Sequence, residues 1–271
     1  MIRKFSMATA VLMAASASAF AADLPRRTPP PVFVPPPLFT WTGLYVGGQV
    51  GYAWGKDNSN GVLSAVGVGP FGAYTNYNSP NGEVGGAHIG YNYQFNQFVI
   101  GVEGDVNGSN FNNGGTGFAF GAAGIPFGAF SVNTATRIPI EGSARARIGF
   151  AWDHWLFFAT GGAAFADIEH SFALGVAGVG FFNDPATYSK TRVGWTVGGG
   201  VEYALNNNWS VRAEYRYSDY GTNSSATLGG ITALTGVYGT QSSHLTESKV
   251  QVGFSYKFDW YTPPAPVVAK Y

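Results

Sequence analysis

Thirteen charged side chains sit inside segments of strict apolar–polar alternation: Glu103, Asp105, Glu141, Arg145, Arg147, Arg192, Glu202, Arg212, Glu214, Arg216, Glu247, Lys249 and Lys257. Within each segment they share one parity, so a strand would carry all of them on one face. Six are acidic and seven basic, a near balance that suits ion pairing in an enclosed space. Read instead as a catalytic cluster, they name no nucleophile. The histidines are His88, His154, His170 and His244. His170 and His244 have Asp167, Ser171, Ser242 and Ser243 within reach, the raw material of a nucleophile–base pair. No motif ties such a pair together, so solvated histidines are the plainer reading and no catalytic residue is assigned. His88 is expected to face inward on its strand and to hydrogen-bond within the charge network, not to hold a metal. His154 falls in a turn. The absence of cysteine removes thiol catalysis and Cys-based metal or haem attachment. Gly198-Gly199-Gly200 is followed by no Lys-Ser/Thr and no helix, so it is no phosphate loop.

The elements that must position these groups are strands. In Val193–Gly221, Val193, Trp195, Val197, Val201 and Tyr203 alternate with Thr196 and Glu202. After Leu205-Asn206-Asn207-Asn208, Trp209, Val211, Ala213, Tyr215 and Tyr217 alternate with Ser210, Arg212, Glu214 and Arg216. The Asn-rich link reads as a hairpin connection, since Asn tolerates the positive φ of tight turns. The same alternation predicts eight strands, at 41–54, 83–95, 98–109, 139–152, 155–169, 191–204, 209–220 and 245–258. Each is long enough to cross a bilayer at a tilt. The strand at 155–169 fits least well, because Phe157 and Phe158 are adjacent and Asp167 and Glu169 share the parity of Phe157. Either a bulge near Gly161-Gly162 switches its faces, or it ends before Asp167.

Connections alternate in length. Asn96-Gln97, Asp153-His154 and Leu205 to Asn208 are short, whereas 55–82, 110–138, 170–190 and 221–244 are long. Short turns on one side and long loops on the other are the habit of an outer-membrane barrel, with both ends of the barrel on the short-turn, periplasmic side. Polarity agrees. The faces opposite the charges carry Ile100, Val102, Val106, Ile140, Ile148, Val250, Val252 and Phe254, and no charge. A soluble ligand-binding barrel would have the reverse. The fold class is therefore all-β: an eight-stranded, antiparallel, up-and-down transmembrane barrel whose charged residues line the lumen. Loop 110–138, with Phe118, Phe120, Phe127, Phe130 and Val132 around Gly124-Ile125-Pro126, offers an extra hairpin and an alternative of ten strands.

Charged residues are 11% of the chain against about 25% for an ordinary globular domain, and aromatics reach 16%. Trp41, Tyr93, Phe95, Phe98, Trp152, Trp155, Tyr203, Trp209 and Phe258 lie beside the short turns and the barrel ends, where an aromatic girdle is expected. Trp54, Tyr215, Tyr217 and Tyr220 lie toward the other rim. Met1–Ala21 has a basic start (Arg3, Lys4), an apolar run and Ala19-Phe20-Ala21, the pattern of an export signal cleaved before Ala22. Without Arg3 and Lys4 the chain carries 13 basic and 15 acidic residues, so no basic field recruits nucleic acid. Residues 22–39 hold Pro29-Pro30-Pro31 and Pro35-Pro36-Pro37, an extended Pro-rich periplasmic linker. The barrel is expected over 40–258, and 259–271 form a tail.

Three stretches now carry a resemblance: Trp41-Thr42-Gly43-Leu44-Tyr45-Val46-Gly47-Gly48, Gly194 to Tyr203, and Trp209 to Tyr217 with Glu214-Tyr215-Arg216-Tyr217. With the Pro-rich entry before Trp41, the mature chain resembles the small porin-like outer-membrane barrels of alphaproteobacteria, which include surface antigens and hemin-binding proteins. The resemblance implies a structural protein of the Gram-negative outer membrane that displays surface loops, and no enzyme. Its alternative is a small porin or hemin-uptake protein, in which His170 or His244, with Tyr238, Phe181 or Phe182, would hold a captured haem. No resident cofactor is implied. Implied partners are outer-membrane lipid and lipopolysaccharide, the barrel assembly machinery and periplasmic envelope components. One departure stands out: the family's barrel ends on an aromatic residue, whereas here Phe258 is followed by 13 more residues. Tyr256-Lys257-Phe258 or Tyr271 would then serve as that terminus.

Overall fold

A computed structural model of the chain describes residues 39–120, 129–176, 180–183, 188–227 and 236–258. The expected export signal, nearly all of the Pro-rich entry, the Gly124-Ile125-Pro126 loop tip and the tail lie outside the described residues. The strands are β1 (Gly43–Ala65), β2 (Gly69–Asn78), β3 (Asn81–Phe95), β4 (Phe98–Phe120), β5 (Ala129–Trp152), β6 (Trp155–Val176), β7 (Gly180–Asn183), β8 (Tyr188–Ala204), β9 (Trp209–Thr227) and β10 (Val237–Lys257). They form one antiparallel sheet in the order β10-β9-β8-β6-β5-β4-β3-β1, and β1 pairs back to β10 from Tyr45↔Lys257 to Ala65↔Val237. Closure leaves no open edge around this ring.

Ten strands make eight staves. β3 pairs the first half of β1 and β2 the second, so the two are one stave interrupted at Ser79-Pro80. Proline has no N–H to continue the ladder, and its carbonyl instead accepts from the Gly55 amide at 2.8 Å. β7 and β8 divide the next shared edge, that of β6, in the same way. The extra hairpin of the ten-strand alternative is absent as a separate pair of staves, because 111–120 and 129–138 continue β4 and β5, paired from Phe111↔Ile138 to Phe120↔Ala129. The expected long loops are thus largely strand. Their sequences escape an alternation test because beyond the apolar band polarity no longer divides by face: Leu63, Phe71 and Tyr74 are buried beside Asp57, Ser59 and Asn76, and Val62 and Tyr77 are exposed, yet the backbone groups still pair.

Two of the short turns carry positive φ, at Asn96 and Asp153, with 54° and 53°, values that Asn and Asp tolerate better than most residues. The third corrects the expectation. Among the described residues, none of Leu205 to Asn208 has positive φ; Asn206 instead accepts the amides of Asn208 and Trp209 on its side-chain oxygen, at 2.9 and 2.8 Å.

Faces follow parity. Val197, Val211 and Val252 are about half exposed on the outer wall, while Glu202, Arg212 and Lys249 are buried inside. On each stave the outward side chains are apolar or small from the short turn upward until a polar residue appears: Lys56, Glu83, Asn110, Arg137, Asp167, Thr191, Asp219, and Ser248 followed by Thr246. That is about eleven residues per stave, which at a 40° tilt gives a band of roughly 25–30 Å, the apolar height of such barrels. β6 needs neither of its expected remedies. It runs without interruption along β8 from Trp155 to His170, Phe157 faces out and Phe158 in. Asp167 and Glu169 simply lie above the band; the irregularity is in β5, between Arg137 and Ile140.

Above the band the wall divides. The β8–β9 ladder stops at Trp195↔Asp219 and the β3–β4 ladder at Asn81↔Asn112. Beyond these points, among the described residues, no ladder joins β8 to β9 or β2 to β4. These seams lie on opposite sides of the ring, so β4–β8 form one blade and β9, β10, β1 and β2 the other.

Arginine at Val197, the fourth of six outward residues between Tyr203 and Val193 and so near the middle of the outward band, is expected to destabilise the folded protein by about 2–4 kcal/mol. Val62→Arg, outward but above the band, is expected to be close to neutral. Unfolding titrations in lipid, read by the gel-mobility shift between folded and boiled protein, check the pair; equal losses would contradict the band.

Candidate functional site: a sealed ionic lumen

The lumen is layered, which the alternation pattern alone does not reveal. Its floor, at the short-turn end, is apolar: Trp41, Val99, Ala151, Leu156, Phe158 and Ala204, with Phe39 against them. Trp41 corrects the girdle. It is 4% exposed and turns inward, its ring edge-on to Phe39 at 5.1 Å; the other girdle residues face outward. A cavity of about 20 Å³ beside Trp41, Tyr45 and Glu202 leaves room for about one water. A second apolar layer closes the lumen higher up, built from Ala53, Val84, Phe111, Ile138, Ala164, Ala166, Ile168, Tyr220 and Leu245. Tyr220, expected near the outer rim, belongs to this inner layer.

Between the layers lies the charge network. Arg145 on β5 pairs with Glu103 across the β4–β5 ladder and with Glu214 from the opposite wall, and stands 3.3 Å from Asp105. Arg212 holds Glu103 at 2.6 Å and Glu214 at 3.1 Å. Arg216 donates to Asp105 at 3.0 and 3.2 Å and lies 3.3 Å from Glu214. Arg147 pairs with Glu202 and lies 4.0 Å above the Phe158 ring. Neutral groups donate to the carboxylates as well. Tyr45 donates to Glu103 at 2.7 Å, Asn107 to Asp105 at 2.7 Å, Gln251 to Glu214 at 3.0 Å and Ser210 to Glu202 at 2.5 Å. Every one of these charged side chains is at most 3% exposed.

Room for these long side chains comes from glycine on the same face. A Cβ at Gly90 would stand 2.4 Å from the Tyr45 hydroxyl, and one at Gly47 would stand 2.5 Å from the His88 ring. His88 itself is buried, with Nε2 3.0 Å from the Ser255 hydroxyl.

Not every expected member joins. Glu202 and Arg212 are register partners, yet each bonds elsewhere, because their side chains lean toward the lumen axis instead of across the hairpin. Arg192 sits a layer higher, with Nη2 3.3 Å from the Ser243 hydroxyl. That layer has an acid the alternation reading missed: Asp57, buried, accepts from Ser243 at 2.9 Å and Thr136 at 2.7 Å. Its place after Lys56, outside the expected strand, hid it. Lys257 leaves the network altogether, donating to the Thr40 carbonyl at the floor with its ammonium 5.0 Å from the Phe39 ring. Glu141, Glu247 and Lys249 form a separate cluster beside the upper layer.

The three haem candidates do not converge. His244 faces outward, 3.1 Å from the Thr222 hydroxyl and 3.3 Å from Asp219. Tyr238 is six residues further along the same strand, about 20 Å away. His170 occupies a register position opposite Thr136 and Tyr188 on β6, three staves away from β10. Nor do the serines and acid near the histidines assemble a site: Ser243 turns inward to Asp57, and Asp167 accepts from Ser189 at 2.7 Å. Among the described residues no group of three or more histidine or carboxylate ligands is placed to hold a metal.

A closed antiparallel ring with an apolar outer band and an ionic interior defines an outer-membrane β-barrel. The chain belongs to the outer membrane protein beta-barrel domain family, whose model matches residues 7–258. It is 31% identical to the 31 kDa outer-membrane immunogenic protein of Brucella melitensis, over 89% of this chain and 94% of that protein. To the 25 kDa outer-membrane immunogenic protein of Brucella abortus it is 31% identical over 95% of this chain and 99% of the relative. Among solved structures, OprG from Pseudomonas aeruginosa matches 80% of this chain and 96% of its own, at 12% identity and a TM-score of 0.45. The protein is thus a structural, surface-displaying component of the Gram-negative outer membrane.

Removing Arg145 takes one guanidinium from Glu103, Asp105 and Glu214 at once and leaves the remaining three arginines facing four buried carboxylates. Arg145→Ala is expected to cost about 3–5 kcal/mol of folding stability, whereas Lys257→Ala, at the floor, is expected to cost under about 1 kcal/mol. Denaturant titrations in micelles check the contrast, and equal losses would remove Arg145 from the centre of the network.

Proposed function

We propose that this barrel is a non-conducting scaffold: it seals its own lumen, holds eight staves rigidly across the membrane and carries the two strand blades outside as a display platform. One observation carries the reading. Four arginines and four carboxylates occupy the cross-section between two apolar layers, each charge already bonded to its neighbours. A permeating ion would have to break these bonds, and an eight-stranded barrel is only wide enough for its side chains.

A non-enzymatic role accords with the same geometry. Thr222, His244 and Asp219 do line up on the outer wall. Both imidazole nitrogens are committed, however, and a secondary alcohol in mid-strand is a weak nucleophile, so the set acts as a clamp between β9 and β10 near the ladder irregularity at His244/Thr246. Outer-membrane lipid and lipopolysaccharide would contact the apolar band and the charged residues just above it. The assembly machinery would read Tyr256-Lys257-Phe258, where the Phe258 amide closes the ladder onto the Leu44 carbonyl at 2.8 Å. The Pro-rich entry would meet periplasmic envelope components.

Planar-bilayer recording on refolded protein tests the proposal. Wild type is expected to give no unitary conductance steps. Discrete steps from the wild-type barrel would overturn the scaffold reading in favour of a porin.

A further inference from the structure

The buried charges do not balance everywhere. Glu103, Asp105, Glu202 and Glu214 are matched by Arg145, Arg147, Arg212 and Arg216. A layer higher, Asp57 and Arg192 are joined through the Ser243 hydroxyl. What remains is Glu141, Glu247 and Lys249: two acids, one base, each at most 3% exposed. The surplus negative charge is local to this cluster.

Geometry shows where it falls. Lys249 gives its hydrogen bond to Glu141 and stands 3.2 Å from Glu247 Oε1. Neither carboxyl oxygen of Glu247 receives a hydrogen bond, and the carboxyls of Glu141 and Glu247 converge on the same Lys249 ammonium. Two ionised carboxylates are both acceptors and cannot bond each other; one proton held between them supplies an O–H donor. Among the described residues the one cation paired with either carboxyl is Lys249, on β10 itself. Of the neighbouring titratable groups, Arg216 and Tyr220 stand on β9 and Asp105 on β4. Arg216 is already held by Asp105 and Glu214, and Tyr220 belongs to the apolar layer that closes the cluster off with Phe111, Ile138 and Leu245.

We propose that the Glu141–Glu247 pair is a binding site for a single proton, retained at neutral pH, and that the barrel folds around it. The sign of the consequence follows. In the unfolded chain both carboxyls release their protons near the ordinary value of about 4.3. A barrel that holds this proton where the unfolded chain has released it binds more protons than the unfolded chain and loses stability as pH rises. A glutamine at position 247 supplies a permanent N–H donor to Glu141 and needs no proton.

The test uses the full chain folded in micelles. Infrared spectra at near-neutral pH are expected to show the carbonyl stretch of one un-ionised carboxylic acid, lost in Glu247→Gln. The thermal midpoint of wild type is expected to fall with rising pH above the carboxyl range, with a one-proton slope that flattens in Glu247→Gln. Absence of the acid band in wild type would overturn the proposal, as would an unchanged slope in the variant. Stabilisation of wild type by sodium over potassium at constant pH would also overturn it, by assigning the site to a metal cation. Should Glu247→Gln fail to fold, Glu141→Gln and the wild-type infrared band decide the matter.

Discussion

A lumen enclosed by eight staves has room for side chains and little water, so any charge placed there must find its partner within the wall. Much else in the structure follows from this constraint. Arginine dominates the cationic set because one planar guanidinium can hold several carboxylates at once, as Arg145 does with Glu103 and Glu214. Glycines at inward positions make space for those side chains, and apolar layers above and below keep the low dielectric that makes the pairing strong. The network also ties opposite walls together. Arg212 on β9 reaches Glu103 on β4, and Arg216 reaches Asp105, so the interior braces a ring whose backbone ladder alone could shear.

The outside obeys a different rule. Lipid supplies no hydrogen-bond partners, which forces complete backbone pairing and an apolar surface across the band. Where outward polar residues begin, the requirement lapses. The ring then divides into two blades, the ladders β8–β9 and β3–β4 end, and the sequence becomes rich in Ser, Thr, Asn and Gly. Family membership and the Brucella relatives place this arrangement in the outer membrane; the blades are the portion of the chain that such a protein presents outward.

How much of this was legible in the sequence depended on whether a face met lipid. Within the band, alternation separated Val197, Val211 and Val252 from Glu202, Arg212 and Lys249, because a two-residue period and a sharp polarity difference encode it directly. Outside the band the signal vanished, and the arms of β1, β4, β5, β6, β9 and β10 read as loops. Depth within the lumen was likewise invisible. Parity says that Trp41, Tyr220, Arg192 and Lys257 are candidates for one side or the other, but not which layer each reaches; Trp41 became floor, Tyr220 ceiling, and Lys257 left for the rim. Partner choice was the least legible feature of all. Register neighbours such as Glu202 and Arg212 ignore each other in favour of groups across the lumen, and no spacing rule along the chain records a contact between opposite walls.

The central claim is that this interior is dry and closed, and the chain's lack of native cysteine permits a direct measurement. Single cysteines at Ser143 and Ser255, both buried and close to isosteric with the replacement, can be exposed to a small, membrane-impermeant thiol reagent applied from both sides of protein reconstituted in vesicles. A cysteine at Ser224, on the exposed arm of β9, serves as the accessible reference. The expected result is rapid labelling at position 224 and none at 143 or 255 until the barrel is unfolded. Labelling of 143 and 255 in the folded barrel at a rate close to that of 224 would mean a water-filled lumen and would contradict the account.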